Sequence, residues 1–120
     1  SFDIVDMEEL KAEFVEIMQF LYEGYGAVIF RNGKYDGERV VYVKKINPAI
    51  VDSIYAATQF VRSKNGLEKL GTINLKNNYD KLIVNDDYQD AISKRTTNTE
   101  KIKKRINLAA KILYGVEYEW

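Results

Sequence analysis

Thr72-Ile73-Asn74-Leu75-Lys76-Asn77-Asn78-Tyr79-Asp80-Lys81-Leu82-Ile83-Val84 decides how much sheet the chain can hold. Asn77-Asn78 sits at its centre, and Asn tolerates the backbone angles of a tight turn, so the stretch reads as a β-hairpin. Upstream, Ala27 to Arg31 reads as a strand, followed by the turn-rich Asn32-Gly33-Lys34-Tyr35-Asp36-Gly37 and a return strand from Arg39 to Ile46. Asn-Gly and Asp-Gly both favour positive φ, which makes a first hairpin the natural assignment.

The helices around these hairpins carry clear punctuation. Asp6 with Glu9 reads as an N-cap and capping-box partner, and Val5 offers a staple to Leu10. Leu10, Phe14, Ile17, Met18 and Leu21 then recur at helical spacing, and Gly24 or Gly26 ends the helix. Asn47-Pro48 opens a second helix with Ile50, Ile54, Ala57 and Val61 on its inner face, closed by Asn65-Gly66. Asp86 or Asp87 starts a short helix through Lys94, and a final helix runs from about Asn98 to Tyr114 with Gly115 as its stop. The expected fold class is therefore α+β, an antiparallel sheet of two β-hairpins with helices packed on it, in the order α-β-β-α-β-β-α-α. At 120 residues, with no linker or low-complexity stretch, residues 1–120 are expected to form a single globular domain.

Composition removes whole classes of chemistry. The chain has no His and no Cys, so Ser-His-Asp, Cys-His and HExxH arrangements cannot be built from it. What remains is carboxylate, Lys or Tyr chemistry, or a carboxylate-bound Mg²⁺. Asp86, Asp87 and Asp90 are the only acidic cluster worth weighing for Mg²⁺, and they lack the spacing and Gly of an EF-hand, so helix capping explains them as well. Gly24-Tyr25-Gly26 follows a helix where a phosphate cradle follows a strand, and Glu9-Leu10-Lys11 lies in a helix where a nuclease motif needs a strand. The expectation is a non-enzyme with no cofactor and no metal. No apolar run nears the ~20 residues of a membrane helix, and residues 1–10 are acidic where a signal peptide is basic. A chain opening on Ser1 is expected of a processed or excised product, and a cytoplasmic location is the expectation.

Charge is balanced in sum, 18 bases against 18 acids, but not along the chain. Residues 1–26 hold seven acids and the single base Lys11, a net of −6. Residues 94–111 hold seven bases and the single acid Glu100, a net of +6. On the last helix Lys101, Lys104, Arg105 and Lys111 fall on one side at about 100° per residue, with Ile102, Ile106, Ala109 and Leu113 on the other. That charged face is the candidate partner-binding site: a docking face for an acidic protein, or a phosphate-backbone stripe. A plain solvated face, or a face neutralised by the acidic first helix, are the alternatives. The protein-partner reading predicts that Lys101, Lys104 and Arg105 changed together to Glu lose capture while the fold survives.

The competing expectation is nucleic-acid binding through helix 98–114, aided by tyrosines such as Tyr22, Tyr25, Tyr35 and Tyr42 that stack on bases. The zero net charge and a pI near 6.3 weigh against it. The order α-β-β-α-β-β-α resembles the homing endonucleases named for their LAGLIDADG motif. Leu21-Tyr22-Glu23-Gly24-Tyr25-Gly26 sits where that motif would end the first helix. Tyr25 stands at the place of the family's metal-binding acid, so the resemblance implies a degenerate fold that binds DNA without cleaving it. The Lys-, Asn-, Ile- and Tyr-rich composition resembles that of AT-rich bacterial, phage or mobile-element genomes, where small regulatory and inhibitor proteins are common. Finally, Val116-Glu117-Tyr118-Glu119-Trp120 alternates as a strand does, so residues 116–120 are expected either to self-associate or to tuck Trp120 against the core.

Overall fold

A computed structural model describes residues 4–70, 74–93 and 98–120, with side-chain surroundings from Asp6 onward. Helix α1 (Ile4–Tyr25) leads through a 3₁₀ turn, Gly26–Val28, into strands β1 (Arg31–Tyr35) and β2 (Val40–Ile46). Four helices follow: α2 (Pro48–Asn65), α3 (Leu75–Ile83), α4 (Asp86–Ile92) and α5 (Thr99–Tyr114), with a 3₁₀ turn at Leu67–Leu70 between α2 and α3. Helix and sheet are mixed as expected, but among the described residues the sheet is the single antiparallel pair β1-β2.

The expected second hairpin is a helix. Thr72 and Ile73 lie outside the described residues, but Asn74 caps α3 by accepting the Asn77 backbone N–H at 3.0 Å. Asn77-Asn78 therefore occupies the first helical turn rather than a hairpin turn. The stretch is helical because Leu75, Tyr79, Leu82 and Ile83 recur at i, i+4, i+7 and i+8 and share one face. Tyr79, Leu82 and Ile83 are all buried there. The observed order is α-β-β-α-α-α-α, so among the described residues the four-stranded sheet implied by the homing-endonuclease resemblance is not formed.

The first hairpin is present but displaced along the chain. Gly26 at φ +76° starts the 3₁₀ turn, and Phe30 adopts φ +68°, a left-handed angle unusual for a bulky residue. These two positions break extended pairing before Arg31. Asn32-Gly33 lies inside β1, and the chain reverses at Asp36–Arg39. Asp6 lies in the first turn of α1, not at its cap. Asn85, not Asp86 or Asp87, caps α4 through the Tyr88 N–H. Asn47 with Pro48 starts α2, Asn98 caps α5, and Gly115 in the left-handed conformation closes it.

Helix α5 is the centre of the packing, laid against α2, α3 and α4. Ile50, Ile54 and Ala57 from α2 meet Ala109 and Leu113 in a core without exposed surface at any of the five. Each fully buried Ile or Leu contributes about 1.5–3 kcal/mol by leaving water. Four buried tyrosines run through this core, two of them tied to α2. Tyr88 bonds the Ser53 hydroxyl and Tyr114 the Thr58 hydroxyl, both at 2.6 Å. Burial pushes the Tyr114 phenol up to about 12 and raises those of Tyr25, Tyr79 and Tyr88 further. Gly24 lets α1 approach α3 closely, since a Cβ there would meet Leu75 Cδ1 at 2.5 Å.

Candidate functional site

The four basic residues expected on one outward face of α5 are placed differently from one another. Arg105 is buried, 3% exposed, with its Nη2 3.5 Å from the Asp52 carboxylate of α2. One step around the helix from Ile106, it joins the apolar side instead of the solvent side. Lys101 is ion-paired with Asp90, and Lys104 lies 3.7 Å from Asp87. Lys111 is exposed and lines a shallow groove with Asn107 and Glu117. Two of the three acids weighed as a Mg²⁺ site, Asp87 and Asp90, thus face the basic helix. The described residues hold no group of three acids arranged to grip a metal ion.

The acidic helix is balanced by a different neighbour. Arg62 of α2 reaches Glu13 at 3.3 Å and Glu16 at 3.0 Å, and Gln59 donates to Glu13 at 2.7 Å. Among the described residues, Glu13 and Glu16 are therefore met by α2, and Lys101 and Lys104 by α4. Of the residues that carry the homing-endonuclease resemblance, Leu21 and Tyr25 are buried in the core. Among the described residues the only sheet is the β1-β2 pair, too small to form the basic saddle such enzymes require.

Helix α1 buries only part of its stripe. Ile17, Leu21 and Tyr25 are covered, whereas Met7, Leu10 and Phe14 are about half exposed. Phe14 touches only the edge of the body, its ring 6.0 Å from that of Tyr55. The N-terminal half of α1 therefore runs past the core with its apolar stripe bare and with Glu8 and Glu9 exposed beside it.

The hairpin is the second uncovered apolar surface, and it is anchored firmly on its other side. Tyr42 bonds the Asp80 carboxylate and stacks on Tyr79 at 5.7 Å. The Tyr79 hydroxyl donates to the Arg31 carbonyl at 2.7 Å. The Gln89 amide donates to the Asn32 side-chain oxygen at 2.8 Å. Gly33 is required by close contact, because a Cβ there would lie 2.7 Å from the Val41 carbonyl oxygen. The turn is tied too: Asp36 Oδ1 accepts the Arg39 N–H at 3.0 Å and the Glu38 N–H at 2.9 Å. Those bonds hold the Asp36 carboxyl below its usual range.

Side chains alternate across a strand, so Val41 and Val43 point opposite to Val40 and Tyr42. Val41 and Val43 are about half exposed and, with Lys34 and Gly33, line a shallow groove of about 380 Å³. Residues 31–46 carry five bases and two acids, a net of +3. Among the described residues, none of Arg31, Lys34, Lys44 and Lys45 forms an ion pair. Among the described residues β2 pairs with β1 alone, leaving its outer edge without a strand neighbour. Reading charge by run length passed over this surface, although the valine alternation and the Lys44-Lys45 pair are both visible in the sequence.

The C-terminal residues form no strand. Tyr118 packs on Phe60 at 4.9 Å and on Trp120 at 4.6 Å, and the Trp120 indole N–H donates to Asn107 at 3.0 Å. Glu119 pairs with Lys64 at 2.9 Å, so the tail clasps α2 to α5. No described helix is long and apolar enough to cross a membrane. In comparison with known proteins, the chain matches no family model, no curated protein and no solved structure.

Proposed function

We propose that this chain is a non-enzymatic interaction domain that docks a protein partner on the outward face of its hairpin. One observation carries the reading: Val41 and Val43 stand half exposed on an anchored ribbon whose Lys34 and Lys45 form no ion pair among the described residues, while three of the five bases on α5 face acids. An apolar centre rimmed by cations suits a partner surface of acidic and apolar residues. The non-enzymatic part rests on composition, since a chain without His or Cys lacks the commonest general base and nucleophile.

The test is affinity capture with wild type and the variant Lys34→Glu/Val43→Asp/Lys45→Glu, with circular dichroism to verify folding. Capture weaker by about tenfold or more is expected, a loss of about 1.4 kcal/mol or more. Equal capture by the folded variant defeats the reading. The competing reading is nucleic acid, because a two-stranded basic ribbon fits the major groove of duplex DNA. Anisotropy titrations with labelled duplex and single strands separate the two. Binding at low salt that falls steeply with added salt favours nucleic acid.

A further inference from the structure

We infer that the hairpin's partner is a second copy of this chain, whose bare α1 stripe of Met7, Leu10 and Phe14 lies across Val41 and Val43. This rests on the hairpin being a docking face, and it names the occupant. Met7, Leu10 and Phe14 belong to the same stripe as the buried Ile17, Leu21 and Tyr25, so they have core character without a core to face. A helix that is apolar beyond the edge of its own body marks an interaction site.

Charge selects the occupant. Glu8 and Glu9 stand exposed beside the stripe, and residues 6–16 sum to −4, or −3 with the Arg62 that meets Glu13 and Glu16. The hairpin, residues 31–46, has a net of +3. Two α1 stripes meeting each other would bring like charges together, as would two hairpins. Only the unlike pairing places apolar against apolar and acid against base. Within one molecule the two faces leave each other uncovered. The hairpin starts beyond the C-terminal end of α1, and Met7 lies 18 residues before Tyr25, about 27 Å along the axis at 1.5 Å per residue. A contact between unlike patches on two copies is heterologous and passes from molecule to molecule in open chains or rings.

Sedimentation velocity across low-micromolar to near-millimolar concentration tests this with charge reversals on exposed residues only, Glu8→Lys/Glu9→Lys and Lys34→Glu/Lys45→Glu. Wild type is expected to grow with concentration at low salt and to dissociate as salt rises. Each variant alone is expected to associate at least about tenfold more weakly. An equimolar mixture of the two is expected to recover association, because the unaltered acidic helix of one variant then meets the unaltered basic hairpin of the other. A wild type that stays monomeric overturns the inference. So does association that both variants leave unchanged, or a mixture that fails to recover it. If wild type is monomeric while Lys34→Glu/Val43→Asp/Lys45→Glu still loses capture of a different protein, the hairpin docking reading stands and only the second copy as occupant is rejected.

Discussion

Helix α5 and the β1-β2 hairpin are both basic, and the structure uses their charge in opposite ways. On α5, Arg105 is drawn inward to Asp52, while Lys101 and Lys104 meet Asp90 and Asp87 of α4. On the hairpin, Lys34 and Lys45 face solvent beside two uncovered valines. The longer basic run thus fastens the molecule to itself, and the shorter one is where the proposed partner docks. Charge density along a chain says little about presentation. What matters is whether a neighbouring element carries the complementary charge at the right height, and α4 supplies it to α5 while none of the described residues supplies it to β2.

The contrast can be attacked first through alkali, which strikes the core both regions lean on. Burial favours the neutral phenol, so each buried tyrosine has a folded pKa above the unfolded value of about 10. Their stabilising contribution is full below pH about 10 and is lost as pH rises through the folded values, about 12 for Tyr114. Far-UV circular dichroism is expected to show unfolding above that range. With no His to titrate, stability between pH 6 and 8 is expected to be flat, and a sloping urea midpoint there contradicts the account.

Tyr79→Ala comes next, at about 3–5 kcal/mol of lost stability in urea unfolding. It removes the ring under Tyr42 and the hydroxyl on Arg31, so amide exchange in β1 and β2 is expected to accelerate more than exchange in α5. Arg105→Ala is expected to cost about 2 kcal/mol through lost stem packing and the Asp52 pair, against less than about 0.5 kcal/mol for the exposed Lys111→Ala. Equal effects of the two would return Arg105 to the surface. Smallest is Lys101→Ala/Lys104→Ala, under about 1 kcal/mol because both pairs are solvent-screened, with partner capture unchanged. A loss of capture there reinstates α5 as the docking face.

Much of the fold was legible where punctuation and periodicity agreed. Asn47-Pro48 and Gly66 bracket α2, and Asn98 and Gly115 bracket α5, in each case with the apolar face inward. Residues 72–84 misled because Asn77-Asn78 was weighed as turn chemistry ahead of the Leu75, Tyr79, Leu82, Ile83 spacing. An asparagine pair inside a helix is tolerated when it has something to bond, and Asn78 donates to the Leu113 carbonyl at 3.0 Å. Helical spacing groups Arg105 with Lys101, Lys104 and Lys111, and no pattern within α5 encodes an acid waiting on α2. The bare half of α1 was invisible for a related reason. Leu10 and Phe14 fit the buried stripe perfectly well, and only the size of the body they run past leaves them uncovered.

The clasp at the C-terminus also governs what spectroscopy of this protein reports. Trp120 is the one tryptophan, and it sits 60% exposed against Asn107 with the Lys103 ammonium 5.6 Å from its ring. Its emission is therefore a signal of tail release, with the nearby cation as a local perturber, and not of core melting. Unfolding followed by tryptophan fluorescence is expected to precede the far-UV transition, so that a two-state fit to the emission alone describes the latch and not the door.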